Sequence, residues 1–171
     1  ESKDYYFKPE NTDSRLLSDM FRSSLLKLTG ERSVKDSWDA LFRNLNKRKY
    51  QKSNSYKKGE KIFIKINQGT SRWLLTDEDK ENGYNYPEKF EPTPLRQAAC
   101  YGTTETNPYM VLELLRELVN EYGIPQSDIS VGDPMTDIYG HNFEIWFAEF
   151  PGVAYLDKFA THHNRTLTTP T

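Results

Sequence analysis

Residues 106–133 run TNPYMVLELLRELVNEYGIPQSDISVGD and read as a helix feeding a buried strand. Asn107 and Pro108 stand where a cap and a first turn belong, because proline lacks the N–H that a first turn leaves unpaired. Val111, Leu112, Leu114, Leu115, Leu118, Val119 and Tyr122 recur at helical spacing and make a wide apolar face. Gly123 suits the left-handed position at a helix end, and Pro125 bars continuation. Ile129 and Val131 then form a short strand that stops at Gly132-Asp133-Pro134. This is half of an α/β layer.

Working outward, residues 61–67 form the strand before that helix, with Ile62, Ile64 and Ile66 on one side and Phe63 between lysines on the other. Residues 141–150 read as the next helix, with Phe143, Trp146, Phe147 and Phe150 as its apolar face, and residues 153–156 as a third strand. Strand, helix, strand, helix, strand is the pattern of right-handed crossovers in a parallel sheet. Two amphipathic helices precede it. The first, capped by Thr12 or Asp13, carries Leu16, Leu17, Met20, Phe21, Leu25 and Leu28 and ends at Gly30. The second opens at Ser33 with Asp36 as a capping box and carries Val34, Trp38, Leu41, Phe42 and Leu45. Each needs a surface to cover, and the sheet is the expected one.

Residues 1–12, with Tyr5, Tyr6 and Phe7, read as an extended arm against the body. Residues 70–105 form a long irregular segment with prolines at 87, 92 and 94 and a short helix expected over 95–101. Residues 162–171 read as a polar tail leading to a further segment. The expectation is a single α/β domain over 1–171, a mostly parallel sheet flanked by helices. It reads as an incomplete half of a larger α/β domain, a truncated or processed product that leaves an open sheet edge or an exposed apolar face.

At 171 residues the chain can bury one core, although its mean hydropathy is -0.83. A net charge of -2 and a pI near 6.0 argue against a dedicated nucleic-acid binder. The basic stretch over 43–58 is offset by an acidic one over 77–91 and reads as a solvated helix end and loop. Cys100 alone excludes an intramolecular disulfide and reads as a bystander thiol. No apolar run approaches the roughly 20 residues of a membrane span. The Asn164-Arg165-Thr166 sequon is too short a pattern to carry weight.

In open parallel sheets ligands bind beyond the carboxyl ends of strands. Two such ends are legible, residues 67–70 and 132–137, and the start of the central helix should share their edge. Its free N–H groups would favour an anionic group, with Lys65 adding charge from the rim. The candidate ligand set is therefore Lys65, Asn67, Thr106, Asn107 and Asp133. The plain alternative is that Gly132-Asp133-Pro134 is a turn and Thr106-Asn107 a cap. A divalent metal is the other chemistry, since Asp133, Asp137 and His141 recur every four residues. That spacing stacks ligands only on a helix, and Pro134 and Gly140 argue against one there. His162-His163 reads as tail. No nucleophile–base pair and no nucleotide fingerprint is visible.

Taken together, the strand ending Ile64-Lys65-Ile66-Asn67, the Thr106-Asn107-Pro108 helix start and Ile129-Ser130-Val131-Gly132-Asp133-Pro134 resemble the family called domain of unknown function 362, in its Bacteroidetes-type form. Leu25-Leu26-Lys27-Leu28-Thr29-Gly30, Trp38-Asp39-Ala40-Leu41-Phe42, Asp137-Ile138-Tyr139-Gly140-His141 and Phe150-Pro151-Gly152-Val153 are also similar. Lys65, Asn67, Thr106 and Asp133 match the family pattern, while Ile66 stands where a proline is common. The resemblance implies the N-terminal part of an α/β domain and, in some members, an iron–sulfur cluster in a separate module. It also implies export signals in some members, hence a periplasmic or exported bacterial protein. It implies no particular reaction.

Two functions follow as expectations. One is a cleft at the strand ends that binds a small anionic ligand or a metal. The other is a non-catalytic module that binds a protein partner through an aromatic loop containing Trp73, Tyr84, Tyr86 and Phe90.

Overall fold

The computed structural model describes residues 7–68, 106–134, 136–157 and 165–168. In chain order these form α1 (Ser14–Thr29), α2 (Val34–Tyr50), β1 (Ile62–Lys65), α3 (Pro108–Arg116), β2 (Ile129–Gly132), α4 (Gly140–Glu149), β3 (Ala154–Asp157) and β4 (Thr166–Leu167). The expectations for residues 70–105, for Tyr5 and Tyr6, and for His162 and His163 lie outside the described residues.

The four strands make one parallel sheet in the order β1-β2-β3-β4. Ile62 pairs with Ile129, and Ile64 with Val131 and through it with Tyr155. This row faces the core. Right-handed crossovers that step in one direction put their helices on one face, so α3 and α4 lie side by side there. The Trp146 indole N–H of α4 donates to the Pro108 carbonyl of α3 at 2.7 Å, which ties the two helices together. The opposite row holds Phe63 and Lys65, then Ser130 and Gly132, then Ala154 and Leu156. Phe63 is 48% exposed on that outward face. Gly132 is required by the strand spacing: a Cβ there would sit 2.8 Å from both the Cβ and the carbonyl oxygen of Leu156.

The α/β class expected from the sequence is the observed one, with three differences in detail. The central helix is regular only to Arg116 and widens into a π turn over Glu117–Tyr122. Gly123, at φ 94°, closes it, and the Leu118 carbonyl accepts from both Gly123 and Ile124 N–H. Over six residues the two helical periods place apolar side chains alike, so the sequence pattern cannot separate them.

The second difference concerns α1 and α2, which pack on the helical layer and not on the sheet. Asp13 accepts from Leu16 N–H and caps α1, and Ser33 accepts from Asp36 N–H and caps α2. On α1 only Leu25 is buried, while Leu16, Met20 and Leu28 are exposed. Charge does part of the docking. Arg22 donates to Glu117 at 2.6 Å and to Glu121 at 2.8 Å across to the π turn. Glu117 is fully buried; burial pushes its carboxyl up, and Arg22 pulls it back. On α2, Trp38 and Phe42 join Tyr56 and Tyr122 against the core. The sheet face was already taken by α3 and α4.

The third difference is β4, in a region read as polar tail. Thr166 and Leu167 pair with Leu156 and Asp157. Two exposed residues leave no periodicity to read, and the pairing is set by the ion pair of Arg165 with Asp157.

At the amino-end edge of the sheet, Asp128 accepts from the Tyr56 hydroxyl at 2.6 Å, Gly59 N–H at 2.8 Å and Lys61 at 2.9 Å. The Tyr56 bond first, then Lys61 and Gly59, hold its carboxyl down at about 2, from an ordinary 3.8. Burial and the same bond push the Tyr56 phenol up to about 12. A carboxyl depressed in the fold stabilises it above the unfolded value, and the contribution disappears as pH falls toward about 2. Urea midpoints should therefore show wild type well above Asp128→Asn at neutral pH, with the gap closing between about pH 4 and pH 2. A gap independent of pH would remove Asp128 from this role.

No helix among the described residues is long and apolar enough to cross a membrane.

Candidate functional site at the strand ends

The carboxyl-end edge is built by backbone continuations of β1 and β2. Ile66 N–H still donates to the Gly132 carbonyl, one step past the assigned strand. Asn67 N–H then donates to the Thr106 hydroxyl at 2.8 Å, and Thr106 N–H returns to the Asn67 carbonyl at 2.9 Å. Gln68 N–H donates to Asp133 Oδ2 at 3.0 Å. Asn67, Thr106 and Asp133 thus meet along one rim.

The individual assignments fare differently. Asn67 is exposed and Thr106 half-buried. Asn107 spends its side-chain oxygen on Tyr109 N–H at 2.9 Å, which uses the first donor that α3 could offer an anion. Lys65 is exposed on the outward face beside Phe63, on the opposite side of β1 from the buried row. Asp133, Asp137 and His141 are all buried.

Among the described residues no three His, Cys, Asp or Glu side chains converge to hold a metal ion. The helix begins only at Gly140, so the four-residue spacing does not stack the ligands on one face. Asp133 already accepts from the Gln68 backbone. The His141 ring lies between two aromatics, 3.8 Å from the Phe7 centroid at 17° and 5.3 Å from that of Tyr139 at 16°.

Sequence reading missed the residues that organise this edge. Gln68 is fully buried, and its Oε1 accepts from Tyr139 N–H at 3.2 Å and from Asn142 Nδ2 at 3.0 Å, tying β1 to the start of α4. Asn142 Oδ1 is buried and finds no donor among the described residues. Asp157 accepts from Ile138 N–H and from Arg165, both at 2.9 Å. Arg165 in turn lies 4.7 Å from the Phe143 ring centroid. One signal was available: Gln68 directly follows the strand read over 61–67, and Asn142 stands four residues before Trp146, a polar side chain on the face of α4 that is buried.

Of the eleven buried polar or charged residues among those described, seven lie here: Gln68, Asp133, Thr136, Asp137, His141, Asn142 and Asp157. Burying polar groups opposes folding unless each is partnered. Their concentration at one edge sets it apart from the apolar interior beneath. Among the described residues the buried charges here are the three carboxylates of Asp133, Asp137 and Asp157 and the guanidinium of Arg165. No family model, no curated protein and no solved structure matches this chain, so a functional assignment rests on the chemistry of this edge.

Proposed function

We propose that the chain is a binding domain whose site is the carboxyl-end edge of its sheet, and that the ligand is a small polar molecule rich in hydrogen-bond donors. The observation behind this is the gathering of seven buried polar residues at that edge. It is where open parallel sheets hold ligands. The preponderance of carboxylates among the described residues favours hydroxyl or amino groups over the phosphate or carboxylate expected from the sequence, because like charges would meet there. Three of the positions expected from the sequence to bind, Asn67, Thr106 and Asp133, meet on this rim.

Thermal unfolding with a panel of neutral sugars, polyols, amines, phosphate and carboxylates tests the reading. A ligand at a hundred times its Kd should add about 2.7 kcal/mol. At least one sugar, polyol or amine should raise Tm, and Asn142→Leu should abolish the shift. Stabilisation by phosphate alone would restore the anionic reading, and no shift from any compound would remove the small-ligand site.

Docking to another protein is a second reading, favoured by Phe63. Parallel sheets are ordinarily covered on both faces, and this ring stands half exposed on the outward one.

A further inference from the structure

Residues 43–61 hold eight of the chain's 23 Lys and Arg but one of its 25 Asp and Glu. Two of the eight are paired, Arg43 with Asp39 and Lys61 with Asp128. The other six, Lys47, Arg48, Lys49, Lys52, Lys57 and Lys58, are exposed and make no ion pair among the described residues. The fold gathers them. Gln51, at φ 55°, ends α2, and the chain doubles back so that Asn46 Nδ2 donates to the Asn54 carbonyl at 2.8 Å. Tyr56 then reaches Phe42, one turn further back on α2, with ring centroids 5.8 Å apart. The turn from Lys57 to Glu60 follows and leads into β1 at the amino-end edge of the sheet. Two apolar side chains stand among these charges, Leu45 at 48% and Tyr50 at 61% exposure.

Cations in the last turn of a helix complement its dipole, which accounts for Lys47, Arg48 and Lys49. It does not account for Lys52, Lys57 and Lys58, which lie beyond the helix, nor for the exposed Leu45 and Tyr50. We infer that this end of the molecule docks on an anionic lipid surface, lying on it and not across it. Five of the six free cations are lysines, point charges without the bidentate fork that reads an individual phosphate or carboxylate. Such clusters suit the diffuse charge of anionic headgroups, and the leucine and tyrosine beside them suit the boundary between headgroups and acyl chains. Elsewhere in the chain acidic residues outnumber basic ones, so a negative surface attracts this end and repels the remainder. Docked in this way, the amino-end edge of the sheet faces the lipid and the strand-end edge faces water.

Flotation with phosphatidylcholine vesicles, with and without phosphatidylserine, tests the docking. Wild type should float with the anionic vesicles only, and less as salt screens the exposed charges. Each Lys or Arg near such a surface strengthens binding about fivefold. Lys47→Gln, Arg48→Gln and Lys49→Gln together should therefore weaken it about a hundredfold, and Lys57→Gln with Lys58→Gln about twentyfold. The second variant leaves α2 and its dipole untouched, so its loss is not one of helix stability. Leu45→Ser with Tyr50→Ser should lower the binding that persists at high salt. Lys27→Gln, Arg32→Gln and Lys35→Gln remove the same charge at the other end of the α1–α2 pair and should bind as wild type does. Failure to float with anionic vesicles would overturn the docking, as would a control as weak as the patch variants. An unchanged Leu45→Ser, Tyr50→Ser variant would overturn it too, as would tighter binding to a single-stranded oligonucleotide or to polyglutamate than to the vesicles. Vesicle binding needs no small ligand, so its outcome is independent of the strand-end site.

Discussion

Replacing Trp146 with alanine is expected to destabilise the fold by about 3–5 kcal/mol. The side chain is fully buried at the centre of the helical layer, stacked at 16° against the Tyr155 ring on the core face of β3. Its removal takes away the largest side chain in the core and leaves a cavity that rigid neighbours close only in part. It also deletes the indole donor to the Pro108 carbonyl, the buried bond between α4 and α3, and leaves only the exposed Arg116–Glu149 pair as a side-chain bond between them among the described residues. Tyr155 would lose a neighbour, and the start of α3 would lose its tie. Urea unfolding of wild type and Trp146→Ala measures the loss, with Leu28→Ala on the exposed side of α1 as the control. The control should stay within about 0.5 kcal/mol. A Trp146→Ala loss of that same size would mean that α4 is not packed on the sheet as described.

Removing the carboxylate of Asp157 should cost a comparable amount, about 3–5 kcal/mol, for an electrostatic reason. Asp157 and Arg165 have side chains 1% and 5% exposed, with an ion-pair distance of 2.9 Å. In Asp157→Ala the guanidinium keeps its desolvation and loses its counter-charge. Ile138 N–H, which donates to the same carboxylate oxygen, loses its acceptor as well. Pairing of β4 with β3 depends on this contact more than on any apolar burial, since Thr166 and Leu167 are both exposed. The double variant Asp157→Leu with Arg165→Leu separates charge from shape. Replacing both partners with apolar groups should recover much of the loss, because the buried pair is expensive to hold even when intact. If the double variant is as unstable as Asp157→Ala, the contribution comes from the Ile138 bond and not from the charge pair.

Both residues illustrate what pattern reading reaches. Trp146 was legible because Phe143, Trp146, Phe147 and Phe150 recur at helical spacing and predict a buried face. Asp157 was not, because a carboxylate at a strand end is as often solvated as paired. Its partner Arg165 follows eight residues later, in a stretch whose composition reads as tail.

The local sequence determined the four helices and the first three strands on its own. Caps at Asp13, Ser33 and Asn107, the glycine stops at Gly30 and Gly123, and the isoleucine alternation over 62–66 each act through neighbours a few residues away. Such short-range chemistry is written in sequence order, and the alternation of strand and helix then restricts the fold to a parallel α/β sheet. It also brought Asn67, Thr106 and Asp133 to one rim, since successive parallel strands end on the same side. What only the tertiary structure decided is where long-range partners lie. Arg22 reaches residues 95 and 99 positions away, Gln68 meets Tyr139 and Asn142 more than 70 positions on, and Phe7 is 134 positions from His141. No periodicity encodes those distances. They arise when the crossovers close and buried polar groups must find donors and acceptors from whatever the fold has brought beside them.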